Sequence, residues 1–85
     1  RKEQWPGVLS ALQKRGALLD DGTLHKGALV SRREAEAFTH RSKASIYRDM
    51  ERGEFPKPIR TGQRAVAWRG EDLNRWKESR EVELT

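Results

Sequence analysis

The chain has no cysteine, one methionine and only six aromatic residues among 85. Without cysteine there are no disulfides, thiol nucleophiles or thiolate metal sites, and a cytoplasmic home is expected. The two histidines, His25 and His40, stand at no ligand or triad spacing, and Asp20-Asp21 fits a turn. No glycine-rich phosphate loop is present. The sequence therefore points to no enzyme, no catalytic residue, no metal and no cofactor. No apolar run approaches the roughly 20 residues of a membrane span, and no signal-peptide core is visible. The chain opens on Arg1 rather than methionine, as expected of a trimmed N-terminus. Hydrophobic residues are 34% of the chain, so the core must be thin and lean on its tryptophans and phenylalanines.

Charge is plentiful, at 36% of residues, with signs interspersed and turn residues regularly placed, which suits a folded polar surface. The length suits one compact domain. The net charge of +5 is unevenly spread. Residues 1–30 carry +2, residues 31–70 carry +5 and residues 71–85 carry −2. A basic block between near-neutral and acidic ends is the footprint of a polyanion binder, with a solubilising surface as the alternative.

Trp5, Val8, Leu9 and Leu12 recur at i, i+3, i+4 and i+7, the spacing of one helix face. Pro6 suits a first helical position, and Gly16 suits the end after Lys14 and Arg15. Asp20-Asp21-Gly22 then signals a turn, so residues 17–24 form a short hairpin or an extended connection. Ser31-Arg32-Arg33-Glu34 is a capping box that opens a second helix, with Ala35 and Phe38 inward and an end near Thr39. Ser42 caps a third helix over 43–52, closed by Gly53, with Ile46 and Met50 as its buried stripe. Pro56 and Pro58 restrict residues 55–60 to an edge strand. Thr61-Gly62-Gln63 turns the chain into a strand over 64–68, and a last helix starts near Glu71, contributing Leu73 and Trp76. The expected fold class is α+β: a small winged helix-turn-helix with a two-stranded β-hairpin wing and an extra N-terminal helical segment. Residues 1–28 form the N-terminal extension and 29–82 the DNA-binding domain.

Two short helices joined by a tight turn, the second basic on its outer face, are the helix-turn-helix plan. With Ile46 and Met50 turned inward, Ala44 and Arg48 lie almost opposite, Ser45 and Tyr47 flank them, and Lys43 sits at the tip. Arg48 can fork onto guanine or bond a phosphate. Ala44 permits close approach and can touch a thymine methyl. Ser42 and Ser45 can bond phosphate or cap the helix, and the Tyr47 hydroxyl can reach phosphate. Arg52 completes the helix's candidates. In the hairpin, Lys57, Arg60 and Arg64 join the set, with Arg69 just beyond. Arg60 and Arg64 bracket Gly62, so both can project from one wing tip onto phosphate or the minor groove. The alternatives are solvated surface charge and an edge hairpin protected by charges and prolines. Phe38, Phe55, Trp68 and Trp76 read as core.

Leu29 to Arg80 resembles the AlpA family of phage and prophage regulators, which borders the excisionases and MerR-like winged helices. The matching string is SRREAEAFTHRSKASIYRDMERGEFPKPIRTGQRAVAWRGEDLNRW. Its most specific parts are S-I-Y-R, G-E-F-P-K-P, and A-V-A-W-R leading to a tryptophan three residues past a leucine. The resemblance implies a sequence-specific DNA-binding protein acting on integrase expression or on excisive recombination of a mobile element. By position it implies DNA contacts at Lys43, Ala44, Ser45, Tyr47 and Arg48, and wing contacts at Arg60 and Arg64. Three features depart from the family. His40-Arg41 stands where glycine and an aliphatic residue are common; His40 can adopt positive φ at some cost, and Arg41 removes a customary core anchor. Asp49 stands at an often apolar position, so its helix is expected to pack differently or less tightly. Residues 1–28 have no counterpart in short family members; they serve as a dimerisation or partner segment or pack onto the chain's own domain.

The functional expectation is an excisionase, a recombination directionality factor that bends attachment-site DNA and assists a phage-type integrase. Its partner is double-stranded DNA, with cooperative self-association along it, no membrane, and a cytoplasmic, nucleoid-associated location. The alternative is an AlpA-like transcription regulator of integrase or prophage genes. From a different class, a protein-interaction module would use the N-terminal apolar helix and show no nucleic-acid affinity.

Overall fold

A first helix that opens on Trp5-Pro6 has a start that costs it nothing, because proline's missing N–H would have had no partner there. In a computed structural model, which describes residues 4–84 and side chains through Arg80, α1 spans Trp5–Lys14. Trp5 and Leu12 are buried, and Val8 and Leu9 half-buried, so the expected apolar face packs on the chain's own α2 (Arg32–Thr39). Gly16 takes φ +80° just past the helix. Of the two forms open to residues 17–24, the hairpin is realised: Leu18 bridges Leu24, and the Leu19 amide donates to the Thr23 carbonyl at 2.8 Å. At its tip the Asp21 carboxylate accepts from the Thr23 amide and hydroxyl, which holds its carboxyl below the usual range.

The capping box of α2 forms in full. Ser31 Oγ accepts from the Glu34 amide at 3.3 Å, and the Glu34 carboxylate accepts from the Ser31 amide at 2.9 Å. Glu34 also holds Arg15 at 2.8 Å, and Arg15 donates to the Leu29 carbonyl at 3.1 Å, tying the end of α1 to the start of α2. His40 ends α2 in the left-handed region at φ 57°, the conformation open to it at some cost in place of glycine. Trp5 meets its ring edge-on at 5.7 Å. The third helix, α3, spans Lys43–Glu51, with Ser42 as N-cap, Arg52 as C-cap and Gly53 at φ +75°.

The expected hairpin is present, with a third strand added. β1 (Leu29–Ser31), β2 (Ile59–Arg60) and β3 (Val66–Arg69) form an antiparallel sheet in the order β1-β3-β2. Val30 pairs with Trp68 and Ile59 with Ala67, so the segment entering α2 and the wing share one central strand. Residues 55–58 are not a strand. Pro56 and Pro58 cannot donate to a ladder, and this segment is held by Trp68 Nε1, which donates to the Pro56 carbonyl at 2.8 Å. Residues 64 and 65, expected in a strand, belong to the turn, which the Thr61 amide closes on the Ala65 carbonyl at 3.0 Å.

The core gathers Leu24, Val30, Phe38, Ile46, Phe55, Trp68 and Leu73 from every layer. Trp76, expected in the core, is half-buried and packs at its margin. α4 (Gly70–Leu84) begins where only glycine fits: a Cβ on Gly70 would lie 2.1 Å from the His25 carbonyl oxygen. One turn on, Asn74 imitates a β-strand partner. Its Oδ1 accepts from the Leu24 amide at 2.8 Å, and its Nδ2 donates to the Leu24 carbonyl at 2.7 Å. The bonds dock the 17–25 hairpin on α4 and satisfy the backbone of a residue only 1% exposed.

Asn74→Ala leaves both Leu24 backbone groups without a partner, at roughly 1–3 kcal/mol for each orphaned group. Thermal unfolding should show Tm lowered by about 4–8 °C per kcal/mol lost in a domain of this size. An unchanged Tm would show that water replaces the amide without penalty.

Candidate nucleic-acid interface

The recognition surface begins with how α3 is rolled. Ile46 is fully buried and Met50 packs against the core, which turns Lys43, Ala44 and Arg48 outward, with Ser45 and Tyr47 half-buried on the flanks. Arg52 is exposed at the C-cap. Ser42 is exposed, and its hydroxyl serves the helix: it accepts from the Ser45 amide at 3.2 Å and donates to Ser45 Oγ at 3.1 Å. Of the two uses open to these serines, capping is the one present in the isolated chain.

Lys57 projects from the segment fixed by Trp68 and Pro56, and Arg60 pairs with Val66 at the end of β2. Residues 61–65 are exposed throughout, so Arg60 and Arg64 flank an open tip. Arg69 is exposed at the opposite end of β3, opposite Leu29. Gln63, which the sequence reading passed over, stands exposed on the same tip and carries both a donor and an acceptor. Its only signal in the sequence is its place between two arginines around a glycine turn.

The cations divide into two groups. Among the described residues, salt bridges tie Arg15 to Glu34, Arg32 to Glu36, Arg41 to Asp49 and Arg75 to Asp72. Lys43, Arg48, Arg52, Lys57, Arg60 and Arg64 take part in none. The paired cations brace helices; Lys14, Lys26, Arg33, Arg69, Lys77 and Arg80 are also outside these bridges, but on α3 and the wing all six candidate cations are both exposed and without a bridge. An anion meeting that surface displaces no internal partner.

Two residues that stood apart from the family pattern prove to be one feature. The Arg41 guanidinium bonds the Asp49 carboxylate, with side chains 23% and 7% exposed. The same guanidinium lies 5.7 Å from the Trp76 ring centre, and the Arg41 amide donates to the Glu36 carbonyl at 3.2 Å. The lost aliphatic anchor and the buried acid therefore complete each other. Each was visible in the sequence, but their partnership across the turn was not.

A cavity of about 880 Å³ lies between the 19–26 hairpin and α4 and holds none of the candidate contact residues. Among the described residues no group of His, Cys, Asp or Glu could hold a metal ion, and no helix is long and apolar enough to cross a membrane. A family model described as prophage CP4-57 regulatory protein (AlpA) matches residues 28–81, covering α2, α3, the sheet and most of α4. No curated protein and no solved structure matches significantly. The match spans 54 of 85 residues and coincides with the winged helix-turn-helix, so the chain belongs to the AlpA family of prophage regulatory proteins, small DNA-binding regulators.

Proposed function

We propose that this protein binds duplex DNA sequence-specifically, with α3 in the major groove and the β2–β3 wing on the adjacent backbone or minor groove. The observation that carries this reading is the gathering on α3 and the wing of six exposed cations, none of them in an ion pair among the described residues. Lys43 at the helix tip and Lys57, Arg60 and Arg64 on the hairpin serve phosphate contacts, which fix register without reading sequence. Arg48 and Ala44, on the outermost face of α3, are the base readers, and Arg48 forks onto a guanine. Ser42, Ser45, Tyr47 and Arg52 line the flanks and bond phosphate. Residues 29–82 act as the DNA-binding unit and residues 1–28 as its extension.

The finer role we propose is excisionase-like. Contacts in two neighbouring grooves from so small a chain suit an architectural protein whose copies bind side by side, bend an attachment site and assist an integrase. Regulation of integrase or prophage genes from the same kind of site is the second reading, favoured by the regulatory description of the matching family. A footprint over an attachment site, with altered gel mobility as the site is moved along a fragment, is expected for the first. Protection confined to a promoter, with no bend, leaves only the second.

With the five cations other than Arg48 on phosphate, log K should fall against log salt with a slope of about −4.5. A slope near zero in fluorescence anisotropy would remove the electrostatic basis of the reading. Arg48→Ala should relax discrimination at one base pair by ~1–3 kcal/mol, measured against single-base operator variants. Arg64→Ala should instead weaken all sequences alike and lower the salt slope by about one. Equal losses on every duplex for Arg48→Ala would reassign it to phosphate.

A further inference from the structure

We propose that the Arg41–Asp49 pair is the positioning device that sets the roll of the recognition helix, and through it the sequence discrimination of the protein. The proposal rests on the DNA-reading role of α3 given above. α3 buries two side chains, Ile46 and Asp49. Apolar packing of Ile46 and half-buried Met50 decides which face of α3 turns inward, but it is non-directional and leaves the helix some tens of degrees of roll. A second, directional tie is needed to fix the angle, and Asp49 supplies it three residues after Ile46.

The far end of that tie is itself fixed. Arg41 follows the left-handed His40, its amide is bonded to Glu36 on α2, and its guanidinium stacks near Trp76 on α4. Trp76 is held in turn by the Arg80 guanidinium at 5.5 Å and by Phe55 at 5.2 Å. Phe55 meets Trp68 of β3 edge-on at 5.8 Å. Contacts thus run without a break from the acid on the recognition helix to the central strand of the wing. One arginine refers α3 to the body that carries the hairpin.

Geometry gives the size of the effect. Donors near the outer radius of a helix, at about 5–6 Å from its axis, move by roughly 2 Å for a 20° roll. A forked hydrogen bond to a base tolerates only a few tenths of an ångström around 2.7–3.2 Å. Arg48 precedes Asp49 in the chain, so loss of the tie would swing its fork out of register with the base edges. Phosphate contacts from flexible lysines and from the wing would survive, since a diffuse charge tolerates such a shift. The pair therefore acts on discrimination and leaves general affinity for DNA in place.

The test starts by enriching duplexes from a randomised library with the wild-type protein. Affinity is then measured for the enriched duplex and for a shuffled duplex of equal composition. Should the wild type enrich no sequence, the DNA-reading role falls first and this proposal with it. Arg41→Met alone leaves a buried carboxylate unpaired and should lower Tm by roughly 10 °C or more. Arg41→Met/Asp49→Leu replaces the pair by apolar side chains, an exchange that commonly preserves folding. The double variant should bind the shuffled duplex within about twofold of wild type and with the same salt slope, yet lose roughly tenfold or more of its preference for the enriched duplex. Full wild-type preference in the double variant overturns the proposal. Should the double variant melt below the assay temperature, the single variants at Asp49 carry the test. Because Asp49→Asn keeps an acceptor, it is compared with Asp49→Leu, which removes the acceptor and leaves Arg41 partly in solvent; a threefold or greater loss of preference in Asp49→Leu supports the tie, and an unchanged preference there refutes it.

Discussion

A chain with six aromatic residues and no disulfide has few ways to hold a sheet, a turn and four helices in one arrangement, and most of them pass through Trp68. Trp68 is fully buried in the central strand, pairs with Val30 on one side of the ladder, and lies beside Ala67, which pairs with Ile59 on the other. Its ring packs on Phe55, and its indole N–H bonds the Pro56 carbonyl. That last bond matters because the two prolines remove the donors a strand would use. The segment carrying Lys57 thus has a defined course without belonging to the sheet. Burial of one large side chain fixes the base of the wing, and a single indole hydrogen bond fixes its approach.

The same economy explains how the recognition helix is held. In small domains apolar burial supplies most of the free energy but little of the angular definition. α3 has one fully buried apolar residue and the half-buried Met50, which set its inward face, so the fine angle has to come from polar contacts with fixed directions. The capping serine, the left-handed His40 and the Arg41–Asp49 pair each fix one coordinate: where the helix starts, how the chain enters it, and how it is rolled. A buried pair of this kind adds little net stability, because desolvation offsets much of its attraction. Its value is geometric, which is the property a base-reading helix needs.

Local features were legible in the sequence because local chemistry decides them. The capping box at Ser31 and Glu34, the Ser42 cap, the terminal Gly53 and the positive φ of His40 all follow from residues within a few positions of one another. The outward face of α3 followed from the helical period alone, since Ile46 and Met50 could face only the core. What was missed depends on partners far along the chain. Leu29–Ser31 is three residues long and carries no alternation, so only β3, some 38 residues on, makes it a strand. Asn74 reads as an ordinary polar helix residue until Leu24, 50 positions away, is laid against it. Arg41 and Asp49 were each noticed as departures from a pattern, and only the fold makes them a pair.

The N-terminal segment follows the same reasoning. Residues 4–27 lie outside the stretch matched by the family model, yet they supply contacts at the least conventional point of the helix-turn-helix. A non-glycine residue held at positive φ is strained relative to glycine. Trp5 places its ring edge against His40, the one non-glycine residue among those described with positive φ. Gln4 bonds Arg33, and Arg15 braces Glu34 within the capping box, so α1 is tied to the start of α2 by these bonds and to its end by Trp5 on His40. A turn built from His-Arg in place of glycine and an aliphatic residue thus has two outside supports: α1 on the histidine, and the Asp49–Trp76 contacts on the arginine. The extension and the altered turn are best understood together, as a more heavily braced version of the same reading head.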